Sequence, residues 1–456
     1  GDAADVFTRS KSEMLALIQI AMGGQAAEEI FFGDISTGPA GDLLYATNVA
    51  AQMVGAAGMT DTLETPAQAG RWTAQWKELY AEVITTGLCT GCAGCVVTCP
   101  HDVIGYEHVE GKYKPFHLED ALGLDNCAHG FGEGGGCTTC TRACPRFRAW
   151  EPNADMHLFG RTRQPDEMSG IWRQLLLTRA ADPVQHEKGQ DGGFVTAMLA
   201  WLMDHDYIDG ALVSGVEADD AWKAKPVLAR TKDDLLATAG SRYTYCANPL
   251  ALRDAKEAGV DRLALVGMGC QVSSPPTMWD RKAGKVSKPF LFNIGLLCSK
   301  TFDDAIFPEL FEAKYGLKKQ DMVKMNIKGV FQIWMKDGSY HEIDLKECHQ
   351  WTREGCKHCP DFAAEHADIA TGGIGKDNDW TLTIVRTELG EEVINRMIKD
   401  GVIIARPAQE DEVAMKLLRT LSIVSRRRWP EWADRAPTVG VPPPKKKADG
   451  AAPAAH

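Results

Sequence analysis

Residues 88–145 hold eight cysteines whose spacing can do chemistry. Cys89, Cys92, Cys95 and Cys99 follow C-x2-C-x2-C-x3-C-P. Cys137, Cys140 and Cys144 repeat the end of that pattern and are again followed by proline. Cys127 precedes the second run across a Gly-rich stretch, AHGFGEGGG. Two-residue loops wrap three thiolates around one face of an iron-sulfur cube. Zinc instead prefers two C-x2-C hairpins across a long gap, and three cysteines at two-residue spacing crowd a tetrahedral ion. Eight thiols in this order point to two 4Fe-4S clusters rather than to zinc sites or a disulfide scaffold.

The order resembles that of two-cluster ferredoxins, in which the fourth cysteine of a run ligates the neighbouring cube. That resemblance implies one cluster on Cys89, Cys92, Cys95 and Cys144, and a second on Cys127, Cys137, Cys140 and Cys99. Four further cysteines stand apart. Cys270 follows the apolar run LALVG, Cys298 ends FLFNIGLLC, and Cys356 and Cys359 form C-x2-C in REGCKHCPDF. Two of these fall at strand ends, where open α/β sheets build their sites; the other two lie on a loop able to fold over that edge. On spacing alone, a third 4Fe-4S cluster and a structural zinc both remain open. Cys246 and Cys348 read as buried thiols without a special role.

The elements that must position these groups change along the chain. Residues 1–66 read as a helical segment, with Met14, Leu17, Ile18, Met22 and Ala26 at helical spacing and a second helix after the loop TGPAGD. Residues 67–160 read as a ferredoxin-like insert. Trp72 and Trp76 open it on a helix as packing residues, and a small hairpin lies in 101–116, turning near Glu110-Gly111. From 161 to 430, helices and strands alternate: a helix over 194–203, a strand over 210–216, a helix over 253–258, strands over 262–266 and 290–298, and a helix near 303–315. This alternation predicts an α/β core with a mostly parallel sheet. A hairpin within 323–343 turns at Asp337-Gly338. Residues 431–456, rich in Pro, Ala and Lys, read as a disordered tail. Arg426 to Arg428 and Lys445 to Lys447 read as solvated charge.

Bulk numbers narrow the function. A chain of 456 residues exceeds what one core serves. With 50 basic and 62 acidic side chains the formal charge is -12, which argues against nucleic acid and suits a basic redox partner. No apolar run approaches the ~20 residues of a membrane span. Fourteen cysteines without a secretory signal fit metal ligands in a reducing compartment, either cytoplasmic or peripheral to a membrane complex.

Two resemblances follow. The run AMGGQAAEEIFFGDISTGPAGDLLYAT resembles part of the peptidase domain of the FtsH family of zinc proteases. In that family the Asp matching Asp42 is the third zinc ligand, after two His of H-E-x-x-H. The chain has no H-E-x-x-H and no Walker motif, and one carboxylate cannot hold a catalytic zinc. The segment therefore reads as a docking module or a fusion of other origin.

From about Cys89 to Arg428 the chain resembles the coenzyme F420 hydrogenase and dehydrogenase beta subunits, a family that includes ferredoxin-linked chlorophyll-pigment reductases. The matching runs are GQDGGFVTAML, DYIDGALVSG, KPVLART, AGSRYTY, VGMGCQV, IGLLC, REGCKHCPDFAAEHADIATGGIG and TLTIVRTELG. The resemblance implies FAD and a cluster on Cys270, Cys298, Cys356 and Cys359, making three 4Fe-4S clusters in all. It places FAD along Gly192, Gly193 and Thr196, with Ser241, Arg242, Tyr243 and Thr244 near its phosphates or ring, and Asp368, Gly372 and Gly375 closing the site. Many members have Lys where Arg242 stands, so the cationic contact is expected to persist with different geometry.

A glycine pair ahead of a helix also lets amides approach a phosphate, although an ordinary turn would look the same. The implied activity is hydride transfer from reduced F420 to FAD, followed by one-electron transfer to a partner redox subunit or carrier. The alternatives are a ferredoxin-dependent reductase of a tetrapyrrole and a non-catalytic electron-transfer subunit. No residue is assigned as a proton donor; His349, His358 and His366 read equally well as packing or surface groups.

Overall fold

The structure is a computed structural model that describes residues 14–23, 46, 74–107, 113–118, 136–148, 150–430 and 433. It divides into two compact units, Gly1–Thr73 and Ala74–His456. In the first unit residues 14–23 are helical; Met14 is buried with Leu17 and Ile18 packed on it, while Met22 is exposed. Ala26, Asp42, Cys127 and the tail beyond 433 lie outside the described residues, as does the second N-terminal helix apart from Ala46.

In the second unit β1 (Ile104–Glu107) and β2 (Lys114–His117) pair antiparallel, as the 101–116 hairpin requires, with the turn itself outside the described residues. Eleven more strands follow: β3 (Gln174–Ala180), β4 (Gly210–Val216), β5 (Ala224–Ala229), β6 (Leu263–Met268), β7 (Phe290–Leu296), β8 (Met322–Ile327), β9 (Val330–Met335), β10 (Tyr340–Asp344), β11 (Ile369–Gly372), β12 (Thr381–Val385) and β13 (Ile403–Pro407). The strands β8, β9 and β10 make a separate antiparallel meander, turning at Asp337-Gly338 where Gly338 takes a φ of 85°.

The remaining eight strands form one sheet in the order β13-β3-β12-β11-β7-β6-β4-β5. Its centre, β11-β7-β6-β4, is parallel, and the other four pairings are antiparallel. The expected mostly parallel sheet is therefore corrected to a mixed one. A parallel crossover needs about a dozen residues or more. The connections from β4 to β5 (217–223) and from β11 to β12 (373–380) are shorter, so each strand turns straight back. Both edge strands carry a proline, Pro226 in β5 and Pro407 in β13, where the missing N–H costs least.

Period-two alternation splits the central strands between two cores. Ala211, Val213, Ala264 and Val266 face the helices Phe194–Asp204 and Glu388–Lys399, while Leu212, Leu263 and Leu265 face Leu252–Glu257 and Glu412–Arg426. Each fully buried side chain of the size of Phe194 or Leu252 contributes about 2 kcal/mol. Local chemistry starts the helices. Asp182 accepts from the amides of Val184 (2.8 Å) and Gln185 (3.0 Å) ahead of Pro183, and Thr387 and Asp411 cap the helices that follow them.

Candidate functional site

Strands β3, β4, β6, β7 and β11 all end at one edge of the sheet, and the chemistry-bearing residues gather there. Cys270 sits in the turn of helix Gly269–Val272 that leaves β6, and Cys298 follows β7. Cys356 lies on the short helix Glu354–Lys357, with Cys359 just beyond it. The four thiols influence one another: the Cys298 thiol is raised first by burial and then by Cys356, Cys270 and Cys359. Burial pushes Cys359 up to about 12. The Thr301 hydroxyl lies 3.5 Å from Cys356 Sγ, and the Tyr245 hydroxyl 3.7 Å from Cys270 Sγ.

A second set comes together from segments fifty residues apart in sequence. Cys89, Cys92, Cys95 and Cys144 line one cavity with the apolar side chains of Leu79, Val83 and Ile84. Burial and the neighbouring thiols raise Cys89 to about 11, and Cys92 and Cys95 well above the usual range. Thiols gathered in this way resist ionising on their own. A bound iron core would supply the positive charge that holds thiolates there, so the donor set fits a cluster. Among the described residues no group of three or more His, Cys, Asp or Glu side chains is placed to hold a single metal ion.

Tertiary contacts bring Cys144 to its partners. Arg281 donates to the carbonyls of Thr141 (2.9 Å), Cys144 (2.9 Å) and Phe147 (2.6 Å), and the Ser274 hydroxyl donates to the Ala143 carbonyl (2.8 Å). Of the other insert cysteines, Cys137 and Cys140 are buried and Cys99 half-buried. Cys140 reaches Cys95 electrostatically. With Cys127 undescribed, this third set is seen only in part.

The insert and core sets adjoin. A Cβ at Gly355 would fall on the Cys89 carbonyl, so only glycine lets the two loops meet this closely. Cys92 is raised in part by Cys270. Two buried arginines lie in this seam. Arg353 donates to the carbonyls of Thr90 (2.9 Å) and Tyr113 (3.2 Å), and its guanidinium carbon lies 3.8 Å from the Tyr245 ring centre. Arg146 reaches sulfurs of both sets. Neither was singled out from the sequence, although Arg146 directly follows Cys144-Pro145 and Arg353 stands three residues before Cys356.

The residues assigned to FAD separate into two groups. Gly192 (φ 82°) and Gly193 (φ 70°) lead helix Phe194–Asp204, and Thr196 is buried in its first turn. Both glycines are also required by the protein itself. A Cβ at Gly192 would come within 2.6 Å of the Asp379 carbonyl, and one at Gly193 would collide with the Gln185 carbonyl. No side chain caps this helix, which leaves its first amides open to an anionic group.

Ser241 joins this place through Gln190, whose Oε1 accepts from its amide (3.3 Å), and Tyr243 through Asn326 Oδ1 (3.1 Å) on β8. Gly372 ends β11 beside Gly373, which packs on the Asp191 carboxylate.

The rest face elsewhere. Arg242 turns its guanidinium to the carbonyls of Thr238 (2.6 Å) and Gly240 (2.8 Å) in its own loop. Thr244 bridges to Phe302. Gly375 packs on Asp411. Asp368 precedes β11, at the opposite end from Gly372; it accepts from the Asn293 amide (2.8 Å) and the Thr387 hydroxyl (2.7 Å), which ties it into the sheet. The sequence reading missed Asp191, which directly precedes the glycine pair. Burial raises its carboxyl, Lys328 and Lys324 partly offset this, and its Oδ1 has no hydrogen-bond donor among the described residues.

Of the three histidines, His366 is fully buried. Its Nε2 lies 3.0 Å from Asp155 Oδ1, within an ion network of Asp155, Glu151, Glu365, Arg163 and Arg426; Arg426, expected from the sequence to be solvated charge, is instead buried because two carboxylates pair with it.

Comparison with known proteins places this architecture. Residues 175–253 match the N-terminal part, and residues 260–411 the C-terminal part, of the family described as coenzyme F420 hydrogenase/dehydrogenase, beta subunit. Residues 3–81 match peptidase family M41. The beta subunit of coenzyme F420 hydrogenase in Methanothermobacter thermautotrophicus is 31% identical over 284 residues, covering 60% of this chain and 99% of the relative. An F(420)H(2) dehydrogenase subunit of Methanosarcina mazei is 29% identical over 344 residues, 74% of this chain and 90% of the relative. A chain of the F420-reducing NiFe hydrogenase complex from Methanosarcina barkeri aligns with a TM-score of 0.55 at 28% identity, covering 58% of this chain and 91% of that one. With adjoining matches to both halves of one family and a relative aligned over nearly its whole length, the chain belongs to the family of coenzyme F420 hydrogenase/dehydrogenase beta subunits.

Proposed function

We propose that the chain is an iron-sulfur flavoprotein subunit that passes electrons between reduced coenzyme F420 and one-electron carriers. The observation that carries this reading is the adjacency of two largely buried four-cysteine sets, built from distant segments, at the sheet edge that also presents an uncapped, glycine-led helix. Cys89, Cys92, Cys95 and Cys144 would hold one 4Fe-4S cluster, and Cys270, Cys298, Cys356 and Cys359 another. Cys99, Cys137 and Cys140 with Cys127 would hold a third. FAD would lie along Gly192, Gly193 and Thr196, with Ser241 and Tyr243 beside it. When bound, the flavin supplies two-electron hydride acceptance, and the clusters supply one-electron transfer.

The protein's own residues do the positioning. The left-handed glycines set the direction of the helix whose first amides favour an anionic group. Leu79, Val83 and Ile84 keep water from the first thiol set, and the Arg281 bonds hold Cys144 against it. The relatives are subunits of hydrogenases and dehydrogenases, which supports a partner redox subunit here. Among the described residues no helix is long and apolar enough to cross a membrane.

Anaerobic isolation followed by iron, sulfide and flavin analysis tests the reading: about 12 iron and one FAD per chain are expected from three cubes and one flavin. Adding reduced F420 should then bleach the flavin absorbance. Colourless protein, zinc at the thiols, or a flavin that ignores reduced F420 but responds to reduced ferredoxin would overturn it.

A further inference from the structure

Arg146 is buried where the insert and core thiol sets meet. Its backbone N–H donates to Cys144 Sγ at 3.4 Å and its guanidinium to Cys359 Sγ at 3.0 Å, so one residue donates to a sulfur of each set. The Trp150 ring lies 5.2 Å from the guanidinium carbon and helps to hold the fork in place. The groups whose charge it feels are Cys359, Cys270, Asp361 and Cys92, again from both sets. Arg353, the other buried cation of the seam, also feels Cys356 and Cys270, but its hydrogen bonds run to the carbonyls of Thr90 and Tyr113 rather than to sulfurs.

Hydrogen bonds to ligand sulfurs and local charge are among the protein's levers on a cluster's reduction potential, because each stabilises the form carrying the extra electron. A charge-assisted donor acts about twice as strongly as a neutral amide. At this seam the charged guanidinium donates to a core sulfur and the neutral backbone N–H to an insert sulfur.

Resting on the reading that both sets hold 4Fe-4S clusters, we infer that Arg146 is a positioning residue that sets the difference in reduction potential between them. It favours the electron on the core site. The step it governs is the passage of one electron from one site to the other. No bond forms or breaks and no proton moves, because a guanidinium keeps its charge throughout.

The test uses the full chain, isolated anaerobically as wild type, Arg146→Gln and Arg146→Lys. Iron and sulfide are counted, and the reduced forms are followed by paramagnetic resonance during a potentiometric titration. A Cys144→Ser sample assigns the insert signal. In iron-replete Arg146→Gln the core site's one-electron reduction equilibrium should fall about tenfold or more, which is about 59 mV for one electron. The insert site should shift less, and Arg146→Lys, which keeps charge but loses the fork, should fall between.

Unchanged equilibria in iron-replete Arg146→Gln overturn the inference. If Arg146→Gln loses iron, Arg146→Lys decides: intermediate equilibria support the inference, and wild-type equilibria overturn it. Loss of iron from both variants overturns it in favour of a role in assembly. Wild-type protein without iron instead sinks the cluster reading itself.

Discussion

The thiol seam and the glycine edge lie along the same end of one sheet, but they differ in how far side chains tie the backbone together. At the seam, arginines close the backbone on itself: Arg281 takes three carbonyls of the Cys144 loop and Arg353 takes those of Thr90 and Tyr113. Behind it, Arg163 and Arg426 pair with Glu151, Asp155 and Glu365. At the glycine edge, Asp191 Oδ1 finds only Lys328 at 3.8 Å among the described residues, and no described side chain caps the helix after Gly193. Both regions keep buried polar atoms that find no hydrogen-bond partner among the described residues, Arg353 Nε and Asp361 Oδ1 at the seam and Asp191 Oδ1 at the glycine edge, so what sets the seam apart is the backbone that its arginines tie together. An edge that leaves helix amides open is shaped to gain partners from a ligand.

The largest expected effect tests whether the seam is one assembled site. Cys144→Ser should remove about four iron per chain while leaving the core signal intact, measured by iron analysis and paramagnetic resonance. If Cys144→Ser spares the insert cluster and Cys140→Ser removes it, the grouping of Cys144 with Cys89, Cys92 and Cys95 fails. Next, Arg163→Met strands buried carboxylates behind the seam and should lower stability by about 3–5 kcal/mol, read from denaturant midpoints. A loss below about 1 kcal/mol would mean the network is not closed in the way described.

At the glycine edge, Gly193→Ala forces a side chain into a left-handed backbone position against the Gln185 carbonyl. It should cost about 1–3 kcal/mol and lower flavin content without lowering seam iron. Equal loss of iron and flavin would show that the two regions do not act separately.

The smallest effect is in pH dependence, where the regions should differ in sign. At Asp155 burial alone would raise the carboxyl, but the bonds from Arg163 and His366 more than reverse this and hold it well below the ordinary 3.8. Its contribution is present above pH 3.8 and is lost as pH falls below that value. Asp191, raised by burial, does the opposite: its contribution is fully present below pH 3.8 and is lost as pH rises above it. Thermal melts should therefore show Asp155→Asn destabilised at neutral pH, and Asp191→Asn slightly stabilised there, with both differences shrinking in acid. Two shifts of the same sign would erase the contrast.

Much of this was readable from local pattern. The helix expected over 194–203 and the strands over 210–216, 262–266 and 290–298 appear within a few residues of those limits, because each carries its own period or apolar run. Strand β5, in the run KPVLART, was not anticipated, since its half-exposed alternation is weak and it contains Pro226. The glycine pair was legible as a turn ahead of a helix, but the collisions that make it obligatory involve Gln185 and Asp379 and leave no mark in the local sequence. Asp368 and Gly372 are grouped by the family resemblance; four residues of extended chain place them at opposite ends of β11.

By itself the sequence determined what depends on short reach: the triplet Cys89, Cys92, Cys95, the C-x2-C of Cys356 and Cys359, and the periodicity of helices and strands. A loop of two residues admits few geometries, so spacing alone limits what three sulfurs can surround. Only the tertiary structure decided the directions of the outer strands, the meeting of Cys144 with a loop fifty residues away, and the placing of Arg146 between two thiol sets. Apolar patterning reports which side of an element is buried, but not which distant segment buries it, and every one of these features is a contact between distant segments.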